Sequence, residues 1–259
     1  MQGGRGFLLD LLYLLYILNL LQSKRHMVKK QAKAVVLVSG GMDSCVAAAL
    51  ARAQGYDLAL LHVSYGQRTE ARERDAFESI ADFYSVTERL IVRFDHFRQI
   101  GGSALTDARI PVPESESPPA AGQQVPSTYV PFRNTHFLAV AVSWAEVIGA
   151  SALVIGAVAE DSSGYPDCRP EYYAAFAELV RQGTRPETQI EVITPVIGLR
   201  KSEIVRWGIE LGAPLHLTWS CYQFGDAACG GCESCLLRLR GFAEAGAPDP
   251  VAYRSRVAR

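Results

Sequence analysis

Four cysteines crowd into fifteen residues as Cys221-x7-Cys229-x2-Cys232-x2-Cys235. As thiolates they supply a full tetrahedral set for Zn2+, and the Cys-Gly-Gly-Cys stretch gives the tight turn that a ligand pair needs. With sulfur at all four positions no place is left for a reacting water, so a zinc held there is structural. An iron–sulfur cluster and a redox-active pair are the competing uses of this spacing. Cys45 and Cys168 lie far from the cluster, and Cys45 reads as a small buried helix residue.

A second chemical signal is Ser39-Gly40-Gly41-Met42-Asp43-Ser44, which follows the apolar run "VVLV" and precedes "CVAAALARAQG". Glycines let the backbone turn sharply and approach a ligand with no Cβ in the way. The turn then aims successive N–H groups and the positive end of a helix at one point, which makes an anion site. The Ser39 and Ser44 hydroxyls add donors. Asp43 does not favour phosphate by itself, so its carboxylate suggests either a Mg2+ ion or a cap for the turn. No Gly-Lys-Ser/Thr follows, which excludes a Walker A loop. There is no third glycine deeper in the helix, which excludes a dinucleotide fingerprint. A tight turn with an N-cap is the plain alternative.

The elements that must position these groups alternate along the chain. "KAVVLV", "DLALLHVSYG", "RLIVRF", "ALVIGA" and "IEVITPVIG" read as strands. "DSCVAAALARAQG", "RTEARERDAFESIADFYSV", "TYVPFRNTHFLAVAVSWAEVIG", "RPEYYAAFAELVRQG" and "LRKSEIVRWGIELG" read as helices. This order predicts an α/β fold, a doubly wound parallel sheet, Rossmann-like, with a small C-terminal zinc module. Residues 28–215 form the α/β domain and residues 216–259 the four-cysteine module and tail. "DARIPVPESESPPAAGQQVPS", 107–127, is too long for a mere connector and reads as a surface loop or lid.

The 259 residues carry a net charge of −1, which argues against a nucleic-acid binder, whose phosphate contacts need a basic excess. Arg238, Arg240, Arg254, Arg256 and Arg259 read as a solvated tail. Clustered Cys-x-x-Cys spacing in a chain of this size favours metal over disulfides and points to the cytoplasm. "FLLDLLYLLYILNLL", 7–21, is short for a membrane span and contains Asp10 and Asn19. Residues 1–27 are therefore set outside the fold, with Met27 as the natural start or the leader as an added helix. A signal anchor is the alternative.

The SGGxDS turn after a first strand resembles the pyrophosphate loop of the ATP pyrophosphatase (PP-loop) superfamily. Four further stretches, "HVSYGQR" (62–68), "YVPFRNTHFL" (129–138), "DSSGYPDCRPEYY" (161–173) and "TPVIGLRKSEIVRWG…LTWSCY" (194–222), are similar to the 7-cyano-7-deazaguanine synthase family. The resemblance runs from about Lys33 to Arg240. It implies an enzyme that uses ATP and ammonia to turn the carboxylate of 7-carboxy-7-deazaguanine into a nitrile, in queuosine biosynthesis. It further implies a zinc-containing cytoplasmic homodimer with small-molecule partners. The chain departs from the family in Cys45, where serine or threonine is usual, and in the length of 107–127.

The same resemblance sets the expected site. Leu37, Val38, Ser39, Gly40, Gly41, Met42, Asp43, Ser44 and Cys45 hold ATP, with Asp43 on Mg2+ or ordering the loop. Lys201 meets phosphate as an uncompensated cation, against the alternative of a surface lysine paired with Glu203. Arg133 and Asn134 grip the substrate carboxylate or the α-phosphate, as an arginine fork suits oxyanions. Tyr165 stacks on the deazapurine, Asp161 or Asp167 accepts from its N–H edge, and Arg169 holds the carboxylate. A Gly-Tyr-Pro-Asp turn is the structural alternative for that segment, and Tyr65 and Gln67 are weaker candidates. The rival functions are a tRNA-thiolating member of the superfamily and a non-catalytic zinc scaffold.

Overall fold

The computed structural model describes residues 32–114, 125–159 and 164–254. The leader 1–27, Asp161, Arg256 and Arg259 lie outside them, as does the middle of the 107–127 loop.

Five parallel strands form one sheet in the order β3-β2-β1-β4-β5. They are β1 Lys33–Leu37, β2 Asp57–Ser64, β3 Arg89–Arg93, β4 Ala152–Ile155 and β5 Glu191–Ile193. The near-continuous Val/Leu/Ala character of the central strands follows from their position. Each is covered on both faces, and a parallel strand so covered has no polar side to show. One face packs α1 (Met42–Ala53) and α2 (Glu70–Phe83) through Ala47, Ala48, Phe77 and Ile80. The other packs α4 (Arg133–Ile148) and α5 (Pro170–Gly183) through Leu138, Ala141, Phe176 and Val180.

Two short elements complete the α/β layer. A one-turn helix α3 spans His96–Ile100, and α6 spans Lys201–Glu210. The expected last strand stops early, at Ile193. Pro195 has no N–H for a ladder, and the chain there turns on itself through Ile197 N–H to the Thr194 carbonyl. An element absent from the sequence reading is α7, Glu233–Ala245, which begins on Cys232 and packs along α6.

The tail is not all solvated. Arg238 on α7 is 3% exposed and grips Asp249, 5% exposed, with both Nε and Nη2 at 2.8 and 2.9 Å. It also donates to the Thr218 hydroxyl and the Leu215 carbonyl. Its aliphatic neighbours disguise it in sequence as one of a run of surface arginines. Arg254 does lie at the surface, paired with Asp226.

Candidate active site

The strand order reverses between β1 and β4, and open parallel sheets bind ligands at such a switch point, beyond the strand C-termini. A cavity of about 280 Å³ lies there, lined by the β1–α1 turn, the residues after β4, and parts of α2, α4, α6 and α7.

The turn has the form that an anion needs. Gly40 sits at φ +92°, and a Cβ on it would lie 2.5 Å from the Glu73 carbonyl oxygen. The first helical bond of α1 runs from Cys45 N–H to the Gly41 carbonyl. The N–H groups of Met42, Asp43 and Ser44 are thereby left outside the ladder at the positive end of the helix. The hydroxyls of Ser39 and Ser44 are 3.2 Å apart, and Ser44 donates to the Gly41 carbonyl, which pins the turn. Gly156, just after β4, packs against the turn so closely that a Cβ would fall 2.7 Å from the Ser44 backbone. The Trp219 N–H holds the Gly40 carbonyl from the other side at 2.8 Å.

Not every expected loop residue faces the cavity. Leu37, Val38, Ser39, Gly41, Met42, Asp43 and Ser44 line it, while Gly40 shapes the turn behind them. Cys45 is a correction. It is fully buried in the apolar core of the α1 face, its N–H is spent inside the helix, and burial pushes its thiol up to about 12.

Lys201 lines the cavity, 12% exposed, with its ammonium 2.5 Å from Asp43 Oδ2. Neither the uncompensated cation nor the Glu203 pair is what forms, since Glu203 instead accepts the Arg200 N–H at the start of α6. The second oxygen of Asp43 is buried with no hydrogen-bond partner. It is free to take a cation or a ligand donor.

Arg133 enters the cavity from the first turn of α4, between the rings of Tyr65 and Phe137. Its Nη1 donates to the Tyr65 hydroxyl at 3.0 Å, and its Nε is buried without a partner. Burial pushes the Tyr65 phenol up to about 12, so it accepts as a neutral group; the charge of the Asp167 carboxylate reaches the guanidinium, but Arg133 makes no ion pair among the described residues. A buried arginine of this kind has the donors that an oxyanion needs.

Of the other substrate candidates, Tyr165 lines the cavity and donates to Thr128, with Tyr129 tilted against its ring. Asn134 lines it too, but its side chain is taken by the Asp167 carbonyl. Asp167 and Arg169 are corrections. The Asp167 carboxylate is buried and caps α4 by accepting the Asn134 N–H at 3.0 Å. Arg169 is exposed at the start of α5 and outside the cavity lining. Sequence reasoning missed Glu73, Gly156, Trp219 and Arg238. A glycine ending a strand was the one legible signal, at Gly156, and the charges of α2 all looked like solvated surface.

Beside the turn, the sulfurs of Cys221, Cys229, Cys232 and Cys235 lie within 4.8 Å of one another. A tetrahedral zinc with bonds of about 2.3 Å sets its sulfurs about 3.8 Å apart, and those of Cys229 and Cys235 are 3.8 Å apart. Backbone N–H groups of Gln223 and Cys229 point at the Cys221 sulfur, and those of Gly231 and Cys232 at the Cys229 sulfur. They stabilise thiolate charge from outside the ligand shell. The donor set fits a closed metal site.

A parallel 3-2-1-4-5 sheet covered by helices on both faces, with a glycine turn opening on a cavity at its switch point, defines a doubly wound α/β protein. The chain belongs to the queuosine biosynthesis protein QueC family, whose model matches residues 33–246. It is 60% identical over 231 residues to the 7-cyano-7-deazaguanine synthase of Acidobacterium capsulatum, covering 89% of this chain and 100% of that one. It is 56% identical over 224 residues to the synthase of Chlorobium phaeobacteroides, covering 86% and 98%. Among solved structures it overlaps loosely with a 4-thiouridine synthetase–RNA complex with bound ATP. That likeness has a TM-score of 0.44 and 20% identity, over 86% of this chain and 47% of that one. No helix among the described residues is long and apolar enough to cross a membrane.

Proposed function

We propose that this chain makes 7-cyano-7-deazaguanine from 7-carboxy-7-deazaguanine and ammonia at the expense of ATP. The observation that carries this reading is one cavity holding both a phosphate-type turn and a buried arginine with an unpartnered Nε, in a chain 60% identical to a synthase along that protein's full length. A carboxylate is a poor electrophile. Bonding its oxygen to the α-phosphorus of ATP, with pyrophosphate leaving, makes that oxygen a good leaving group. Nitrogen then attacks carbon and AMP departs, giving the amide. A second activation of the amide oxygen and loss of two N–H protons give the nitrile.

The residues divide this work. The N–H groups of the turn and Lys201 hold the polyphosphate and offset charge as it moves. Asp43 holds Lys201 in place and offers its other oxygen to Mg2+, which would neutralise phosphate charge when bound. Arg133 holds the carboxylate or the α-phosphate, and Tyr165 gives the planar ring a face to lie on. Zinc on the four cysteines is structural.

Mass spectrometry of purified protein with ATP, Mg2+, ammonium and 18O-carboxylate-labelled substrate tests the reading. A nitrile product, with label in the released AMP, is expected. ATP bound with no product would move the substrate elsewhere.

A further inference from the structure

Among the described residues, two acidic side chains face the cavity, Asp43 and Glu73. Asp43 sits in the glycine turn itself, with one oxygen on Lys201 and the other on the side proposed for Mg2+. Glu73, in the first turn of α2, makes no ion pair among the described residues. Its oxygens are held by neutral donors, Gln67 Nε2 at 2.9 Å on one and Thr69 Oγ1 at 2.7 Å on the other. Gln67 has no choice of orientation, because its carbonyl oxygen accepts the Tyr65 N–H at 2.8 Å and its amide must then face Glu73. The carboxylate plane is thereby fixed while each oxygen keeps a lone pair to offer.

A carboxylate enclosed in this way, with the charge of Arg133 reaching it but no cation paired to it among the described residues, is under-satisfied. Burial raises its pKa, which expresses the same cost. Two parallel N–H donors of a neutral planar ligand would relieve it and, unlike a cation, need no desolvation of a second charge. A deazaguanine ring, the product named for the relatives, carries such a pair side by side, a ring N–H and an exocyclic amine. The other side-chain amides of the cavity, Gln67 and Asn134, are already engaged.

Resting on the function proposed above, we propose that Glu73 reads the guanine-type edge of the substrate by accepting its ring N–H and exocyclic amine, with Gln67 and Thr69 as positioning residues. This moves edge recognition from Asp161 and Asp167 to a residue of α2. It leaves Arg133 for the carboxylate.

The test compares 7-carboxy-7-deazaguanine with the same acid lacking the exocyclic amine, on wild-type protein, Glu73→Gln and Glu73→Asp. Wild type is expected to prefer the guanine-type acid by about 10²-fold or more in kcat/KM. Glu73→Gln is expected to lose about 10- to 10²-fold on that acid, mainly in KM, and far less on the analogue, so the preference collapses. Equal loss on both acids with zinc content and fold retained overturns the proposal, as does an unchanged preference. If Glu73→Gln does not fold, Glu73→Asp, which withdraws the carboxylate by one methylene, must lower the preference. A wild type indifferent to the amine also overturns it. A wild type that makes no nitrile from either acid instead overturns the proposed function.

Discussion

The ammonium of Lys201 lies 2.5 Å from Asp43 Oδ2 and so joins the first turn of α6 to the first turn of α1 across 158 residues. Each group fixes the other beside the glycine turn. Asp43→Asn and Lys201→Met are both expected to lower ATP-dependent turnover by about 10²-fold or more, since Lys201→Met removes the positive charge aimed at the phosphates and Asp43→Asn releases that lysine and weakens the oxygen offered to Mg2+. The check is nucleotide release under saturating substrate. Undiminished turnover in Asp43→Asn would remove this residue from the machinery.

Gly156→Ala tests the close approach of β4 to the turn. A Cβ there meets backbone, which cannot swing aside, so a loss of about 1–3 kcal/mol and a weaker KM for ATP are expected. Gly183→Ala is the control, because nothing lies within 4 Å of that position. Equal behaviour of the two variants in denaturant melts and ATP titrations would contradict the packing.

Cys232→Ser removes a candidate ligand from the residue on which α7 begins. Metal analysis should find less than one zinc per chain and a protein that aggregates more readily. Full zinc content would rule out the four-cysteine site.

Arg238 and Asp249 form a buried pair, so removing one partner strands the other. Asp249→Leu alone is expected to cost about 3–5 kcal/mol, and Arg238→Met with Asp249→Leu together much less. Differential scanning calorimetry of the two proteins decides it. A double variant as unstable as the single one would mean that the bonds to Thr218 and Leu215 matter more than the pair.

His62 contributes to the acid side of stability. Its Nδ1 bonds the Val38 carbonyl at 3.0 Å and so carries the hydrogen, leaving Nε2 buried without a partner. Burial lowers its pKa, so below the ordinary histidine range the unfolded chain takes up a proton that the folded chain refuses. Stability therefore falls as pH drops through the ordinary value of about 6.5. His62→Asn can keep a donor near the Val38 carbonyl and removes the titration. It should flatten this slope in denaturant melts at pH 5 to 7.

The sheet was legible because its strands are buried on both faces and leave uninterrupted apolar runs, and the turn because glycine has few other uses between a strand and a helix. Cysteine spacing marked the cluster for the same reason. What sequence hid was long-range pairing. Lys201 read as an uncompensated cation or a partner for nearby Glu203, and nothing local revealed that Asp43 would claim it. Arg238 looked solvated because α7 starts inside the cysteine cluster, where a reader seeking ligands does not look for a helix. Asp167 looked like a ligand-binding carboxylate, yet an aspartate beside a helix start serves equally well as its cap.

A Cβ on Gly241 of α7 would fall 2.8 Å from the Lys201 Cβ, so the helix rooted in Cys232 and Cys235 lies directly behind the phosphate-side lysine. Trp219, from the segment entering the cluster, holds the turn at Gly40. During synthesis the glycine turn and Lys201 both emerge before these supports. A chain halted before Trp219 contains the glycine turn, Gly156 and Lys201 but neither of these two supports. A chain cut before Trp219 is therefore expected to lose the order of its glycine turn even though the residues of the turn are all present.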